Sequence, residues 1–247
     1  MSADLTGVVL AGGRGTRLSP LTDHTSKQLL PVGGRPLVAR VIAQLVRAGV
    51  ADVLVVIDER HASGFLGALR DGRDLGLRSL AYVWQSPRAP GMPTAIARVE
   101  HLLRTEGMLV ACGDVLIEES LEPAVRAFAA QPDGARIVAT HAADTAGYTA
   151  LTAVGDRVVD LADKDPSRHT PGLMDLGCYL YRRDVFDEIR GLRPSARGET
   201  EIWELNRAYA RRGLLTMTEL TGWWCDVGTS PAVYRAADAR YARSLTL

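Results

Sequence analysis

Val9-Leu10-Ala11-Gly12-Gly13-Arg14-Gly15-Thr16-Arg17-Leu18 is the stretch on which the reading of the chain turns. The apolar run over 5–10 has the length and β-branched content of a buried strand, and it empties directly into glycines at 12, 13 and 15. Without Cβ atoms, these positions let backbone N–H groups approach a ligand closely. The segment that follows presents a helix N-terminus or a nest of amides, and either suits a phosphate. Arg17 adds a planar donor fork that matches phosphate oxygens. Ten residues on, Lys27 in Ser26-Lys27-Gln28-Leu29-Leu30-Pro31 brings a second cation. The glycine spacing is neither G-x-G-x-x-G nor G-x-x-x-x-G-K-[ST], so dinucleotide and Walker-type loops are both excluded.

Outward from this loop, apolar runs of strand length alternate with helical periodicity. Helices are expected over 36–48, 61–75, 94–104 and 121–130, and strands over 52–57, 79–84, 108–111 and 135–141. This alternation argues for a doubly wound, Rossmann-like, mostly parallel α/β sheet. Past residue 141 the pattern changes. Residues 148–154 and 157–160, parted by Gly155-Asp156, read as a β-hairpin. Strands follow over 176–181, 214–219 and 222–225, with helices over 184–189, 199–212 and 230–243. The second half therefore reads as a β-rich extension of the same sheet, and residues 1–247 as one domain.

The 247 residues are 47% hydrophobic, enough for a full core, and 23% charged. Lys plus Arg and Asp plus Glu number 29 each, for a net charge of zero. A nucleic-acid binder normally carries a basic excess, so that class is excluded, and anionic ligands must be held by a few placed cations. Cys112, Cys178 and Cys225 sit in apolar runs without metal-ligand spacing and read as reduced, buried thiols. The N-terminus lacks a basic region before its short apolar run, so no signal peptide is expected. No run approaches the ~20 apolar residues of a membrane span. A cytoplasmic protein without membrane or nucleic-acid partners is the expectation.

Two carboxylates stand at the ends of apolar runs. Asp114 ends Met108-Leu109-Val110-Ala111-Cys112-Gly113-Asp114, and Asp226 follows Trp224-Cys225. The carboxyl end of a parallel strand is where open α/β sheets bind ligands. Two carboxylates together with substrate phosphates are a common way of holding Mg²⁺. Either aspartate alone could equally be a cap or a turn residue.

Over nearly thirty residues, LAGGRGTRLSPLTDHTSKQLLPVGGRPLV resembles the signature of the sugar-1-phosphate nucleotidyltransferases, and most of all the glucose-1-phosphate thymidylyltransferase branch. The resemblance runs from about Leu5 to Tyr241. It implies a nucleotide-diphospho-sugar transferase fold whose extension binds the sugar. It implies that Leu10, Gly12, Gly13, Gly15, Thr16, Gln85 and Gly91 bind the nucleotide, with Arg17 on the departing pyrophosphate and Lys27 bridging the phosphates at the reacting phosphorus. Asp114 and Asp226 match the family's Mg²⁺ ligands. Asp163 and Lys164 align with an E-E-K-P segment, Gly177 with the glycine of T-G-L-Y-F-Y, and Arg197 with a P-S-A-R-G-E-x-E-I string. These four would bind the sugar phosphate.

The sequence departs from the family pattern in four places. Ala162 replaces the first Glu of E-E-K-P, and Asp165 displaces its proline. Tyr148-Thr149-Ala150 stands for Y-G-V. The base-recognition segment from Gln85 to Ala95 is one residue longer, with Pro93-Thr94 replacing Ala-Gln. The chain also stops short of the C-terminal helices that longer thymidylyltransferases carry, so an effector site and the usual tetramer are not expected, and any homo-oligomer is left open. The implied reaction joins a nucleoside triphosphate, dTTP first, to a sugar 1-phosphate, glucose 1-phosphate first. Two alternatives stay open: a nucleotidyltransferase using CTP, UTP or GTP on another phosphorylated small molecule, and a catalytically silent nucleotide-sugar-binding subunit.

Overall fold

A computed structural model describes residues 4–13, 15–86 and 90–243. Arg14 of the glycine loop and positions 87–89 of the segment expected to read the base lie outside the described residues. The strands are β1 (Leu5–Ala11), β2 (Pro31–Val32), β3 (Arg35–Pro36), β4 (Asp52–Ile57), β5 (Ser79–Trp84), β6 (Gly107–Cys112) and β7 (Val115–Ile117), then β8 (Ala135–Ala142), β9 (Ala150–Val154), β10 (Arg157–Ala162), β11 (Gly172–Arg182), β12 (Leu215–Glu219) and β13 (Trp224–Asp226). The helices are α1 (Leu37–Arg47), α2 (Ala62–Leu69), α3 (Met92–Ala97), α4 (Glu122–Ala130), α5 (Val185–Gly191), α6 (Ile202–Arg211) and α7 (Pro231–Arg243).

Nine strands form one sheet in the order β5-β4-β1-β6-β11-β8-β12-β10-β9. From β5 to β6 every pairing is parallel. The chain moves outward from β1 to β4 and β5, then returns to the other side of β1 as β6. Helices α1 and α2 pack with the core on one face, and α3 with the core on the other. This is the doubly wound arrangement expected, with its switch point between β1 and β6. The carboxyl ends of those two strands are Ala11, leading to Gly12, and Cys112, leading to Gly113-Asp114. Beyond β6 the sheet is mixed: β11 runs antiparallel to both β6 and β8, and the β9–β10 hairpin closes the far edge.

Helix α1 shows how the sequence pattern becomes packing. Its Leu37, Val38, Val41, Ile42 and Leu45 are fully buried, each contributing about 1.5–3 kcal/mol relative to exposure. Gln44 is buried among them and bonds backbone instead: its Oε1 accepts the Ile117 N–H at 3.0 Å. That contact fixes β7, the short strand directly after Asp114.

Three expected helices are shorter in the structure. The run over 61–75 gives α2 and then a separate 3-10 turn, Arg73–Leu75, because Arg70, Gly72 and Gly76 all take positive φ and stop the helix. The run over 94–104 starts two residues earlier, as α3, and ends in another 3-10 turn, Glu100–Leu102. The helix expected from 199 begins at Ile202, because a turn holds 195–199 through Ser195 N–H to Glu199 O at 2.8 Å and Thr200 bridges to Gly91. Strand β7 and the β2–β3 hairpin are too short to show a period.

Candidate active site

A cleft of about 820 Å³ opens at the carboxyl ends of β1 and β6. Its wall includes Leu10, Gly12, Gly13, Thr16, Arg17, Lys27, Gln85, Gly91, Asp114, Lys164, Gly177 and Asp226. Gly15, Asp163 and Arg197 lie off this wall. Gly15 has φ +67°, and its carbonyl takes the Thr22 hydroxyl at 2.8 Å, so it shapes the loop. Arg197 lines an adjoining pocket of about 130 Å³ that shares Lys164 with the main cleft. It pairs with Glu201 at 2.8 Å and with Asp163 at 4.0 Å.

After the glycines the chain forms one 3-10 turn, Thr16–Leu18, so the amides of the loop do not open a long helix. Gly12 has no room for a side chain: a Cβ there would lie 1.8 Å from Gln85 Oε1. Gln85 is itself placed by its N–H on Ile57 O at 2.9 Å. Gly91 takes φ +116°, and a Cβ would lie 2.3 Å from the Thr200 carbonyl. This glycine therefore brings the segment leading into α3 against Thr200, three residues past Arg197. The Pro93-Thr94 departure has a structural account, since Pro93 enters the first turn of α3 and the Thr94 hydroxyl donates to Gly91 O at 2.9 Å.

The charged centre is built by the β7–β13 pair. In this antiparallel ribbon Asp226 lies opposite Val115, and the Val227 N–H donates to Asp114 O at 3.0 Å. Two residues more than a hundred positions apart are so brought side by side. Lys27 pairs with Asp114. A Cβ on Gly228 would meet Asp114 Oδ2 at 2.7 Å, Lys27 Nζ at 2.9 Å and Asp226 Oδ1 at 3.3 Å, so all three charges converge on this glycine.

The electrostatics follow from burial and proximity. Burial works against the Lys27 ammonium, but the carboxylates of Asp114 and Asp226 outweigh it and hold its pKa above the ordinary lysine value. Burial, reinforced by the Asp114 charge, raises the Asp226 carboxyl above the usual carboxylate range, while Lys27 and Arg17 pull the other way. Arg17 is exposed and has no ion-pair partner among the described residues.

The donor set at the centre is two carboxylates, hard oxygen ligands of the kind Mg²⁺ prefers. No group of three or more His, Cys, Asp or Glu able to hold a metal occurs among the described residues. A cation here would therefore complete its shell with water or with oxygen donors brought by a ligand.

Gln28 and Asp175 line the wall without a sequence signal, and Tyr148 and Thr149, noted in the sequence only as a departure from Y-G-V, line it too. Gly228, against the charged centre, carried no signal either. Tyr148 stands edge-on to Trp224, with ring centroids 5.7 Å apart. Burial raises the Asp175 carboxyl to about 6, against the pull of the Gly177 N–H, the Tyr179 hydroxyl and Lys164.

The nucleotidyl transferase family profile matches residues 6–242. A glucose-1-phosphate thymidylyltransferase from Actinoplanes sp. is 37% identical over 244 residues, covering 97% of this chain and 78% of the relative. One from Mycolicibacterium smegmatis is 36% identical over 249 residues, covering 98% and 83%. A crystal structure assigned to the same enzyme from Bacillus anthracis superposes with a TM-score of 0.88 at 31% identity, over 96% of this chain and 95% of that one. A UDP-glucose pyrophosphorylase at 20% identity shares the fold, with a TM-score of 0.84. No helix among the described residues is long and apolar enough to cross a membrane. With the family profile matched over nearly its whole length, and with a glycine loop at the switch point and paired aspartates in the same cleft, the chain belongs to the nucleotidyl transferase family.

Proposed function

We propose that the protein is a glucose-1-phosphate thymidylyltransferase, joining dTTP and glucose 1-phosphate to give dTDP-glucose and pyrophosphate, with Mg²⁺ held by Asp114 and Asp226. The observation that carries this reading is the Lys27–Asp114–Asp226 cluster, set between the glycine loop on one side and Lys164 on the other. Similarity to relatives of that name over nearly the whole chain supports dTTP and glucose 1-phosphate as the pair. Both substrates are intracellular metabolites, which fits a cytoplasmic enzyme.

The triphosphate would lie along Gly12, Gly13 and Thr16, with its base toward Leu10, Gln85 and Gly91. The sugar 1-phosphate would enter from the side of Gly177 and Lys164, with Arg197 at the mouth. One anionic phosphate oxygen attacks the α-phosphorus; the bond from that phosphorus to the bridging oxygen of the β-phosphate breaks, and pyrophosphate leaves on the opposite side. The nucleophile is already an anion, so no general base is required. Lys27 stabilises charge on the non-bridging oxygens at the reacting phosphorus, and Arg17 takes charge building on the departing pyrophosphate. Holding both phosphates in line converts a bimolecular encounter into an oriented one. The divalent cation, when bound, supplies Lewis-acid charge at the phosphates.

A pyrophosphate-release screen tests this by crossing dTTP, UTP, CTP, GTP and ATP with glucose 1-phosphate and other sugar 1-phosphates. dTTP with glucose 1-phosphate should be the best pair, and turnover should stop when EDTA removes divalent cations. A different best pair would move the specificity while leaving the chemistry. No turnover with any pair would sink the enzymatic reading.

A further inference from the structure

The acceptor end of the cleft holds a buried polar group that the reaction above leaves unused. Asp175, on β11, is only 7% exposed, yet it forms part of the cleft wall. It stands where the β11–β8 register shifts between Asp175 and Cys178. Its Oδ1 accepts the Gly177 N–H at 2.6 Å, and its Oδ2 accepts the Tyr179 hydroxyl at 2.7 Å. A carboxylate offers about four acceptor positions, so roughly half of its capacity remains open.

The neighbour of Asp175 is also incompletely bonded. The Asp175 N–H donates to the Thr149 carbonyl at 3.1 Å, tying the two residues side by side. Thr149 is 2% exposed, lines the same wall, and its hydroxyl has no partner. Lys164 is close enough to act on Asp175 electrostatically, which puts the pair beside the cation expected to hold the sugar phosphate. The other wall carboxylates are committed elsewhere or open to solvent: Asp114 pairs with Lys27, Asp226 belongs to the charged centre, Asp58 pairs with Arg60, and Glu59 and Glu199 are exposed at the rim.

Pinning a strand irregularity does not by itself explain a carboxylate here. A neutral asparagine could accept the Gly177 N–H through its one oxygen and turn its amide N–H₂ to the Tyr179 hydroxyl oxygen, without the desolvation cost of a buried charge. Buried acceptors with spare capacity, facing a ligand cleft, are how sites tell a hydroxyl from its absence.

We infer that Asp175, with Thr149, reads the ring hydroxyls of the sugar 1-phosphate and so sets which sugar the cleft accepts. The substrate class is a fully hydroxylated pyranose 1-phosphate, and deoxy analogues are refused. The inference rests on the nucleotidyltransferase reading of the cleft.

Steady-state kinetics of the wild type, Asp175→Asn and Thr149→Val, with dTTP against glucose 1-phosphate and its monodeoxy analogues, provide the test. For Asp175→Asn the KM for glucose 1-phosphate should rise roughly 10- to 100-fold. The KM for dTTP should stay within about twofold, and the preference for glucose 1-phosphate over at least one deoxy analogue should collapse. Thr149→Val should move the same quantities in the same direction by about 3- to 10-fold, and it decides the matter if the asparagine variant fails to fold. If both variants keep the wild-type KM and the wild-type discrimination, the inference is overturned. It is equally overturned if Asp175→Asn lowers kcat and raises both KM values together with discrimination intact, the signature of a structural pin. An inactive wild type would instead refute the reaction on which the inference stands.

Discussion

Gly228→Ala isolates the geometry of the charged centre from the charges themselves. Gly228 does not take a positive φ, so alanine can adopt its backbone. A substitution of this kind would by itself stabilise the fold by about 0.4–1 kcal/mol. The new methyl, however, would lie 2.7 Å from Asp114 Oδ2 and 2.9 Å from Lys27 Nζ. Ordinary contact begins near 3.4 Å, so the aspartate oxygen must move by about 0.7 Å. Overpacking of this size costs about 1–3 kcal/mol, leaving a modest net destabilisation. Positioning losses are steeper: a displacement of about 1 Å can cost about 10²-fold in rate. The expected kcat/KM is therefore about 10²-fold below wild type, a loss of about 2.7 kcal/mol in transition-state stabilisation, with a higher Mg²⁺ requirement. The thermal midpoint should fall by less than about 10 °C. Pyrophosphate release across a Mg²⁺ titration, paired with thermal melting, measures all three. If the variant keeps more than about a third of wild-type kcat/KM at an unchanged Mg²⁺ requirement, the convergence of Lys27, Asp114 and Asp226 on this glycine is not what positions the phosphates.

Gly12→Ala should raise the KM for dTTP while sparing that for glucose 1-phosphate, because its methyl displaces Gln85. Adding Gln85→Ala removes the clash, so the two losses should be less than additive in a double-mutant cycle, and simple additivity would refute the contact. Asp226 has its pKa raised by burial and by Asp114, so activity should fail as pH drops through that value. Because a divalent cation binds the ionised form, the acid limb should move down by up to about one pH unit per tenfold increase in Mg²⁺; an acid limb indifferent to Mg²⁺ would remove Asp226 from the metal site. Asp175 has its carboxyl raised to about 6 from 3.8, so between those values the native state keeps a proton that the unfolded chain releases. Stability from this group then falls as pH rises from about 4 to about 6, by up to about 3 kcal/mol. Denaturation midpoints of the wild type should show this slope, and Asp175→Asn should flatten it; coincident pH profiles would count against a buried ionising carboxylate.

Sequence periodicity determined the elements with long, regular patterns. The β1 run, the α1 stripe and the parallel strands β4, β5 and β6 fall where the residues placed them, because their burial is set by neighbours in the same sheet. The glycine loop was legible because three glycines follow an apolar strand and Gly15 answers a local demand, a positive φ, whereas the contact of Gly12 with Gln85 appears only in the structure. Asp114 was legible as the residue following an apolar strand. That Asp226, more than a hundred residues away, stands beside it was implied only by the family resemblance and is encoded in no local pattern. The pairing is made by the β7–β13 ribbon, of which only the β13 run was expected as a strand, and whose β7 is held by Gln44 reaching from α1. Gly228 is likewise an ordinary turn glycine until three charges from distant segments close around it. Asp175 lies just before the strand expected over 176–181 and carried no reading of its own; the structure extends that strand over it and places it, beside the irregular β11–β8 register, on the cleft wall. The chain alone therefore specifies the alternation of strands and helices in the first half and the glycine loop, through short-range propensity and burial. The charged centre and the polar lining of the acceptor end exist only in the tertiary structure, because each is assembled from contacts that no local pattern encodes.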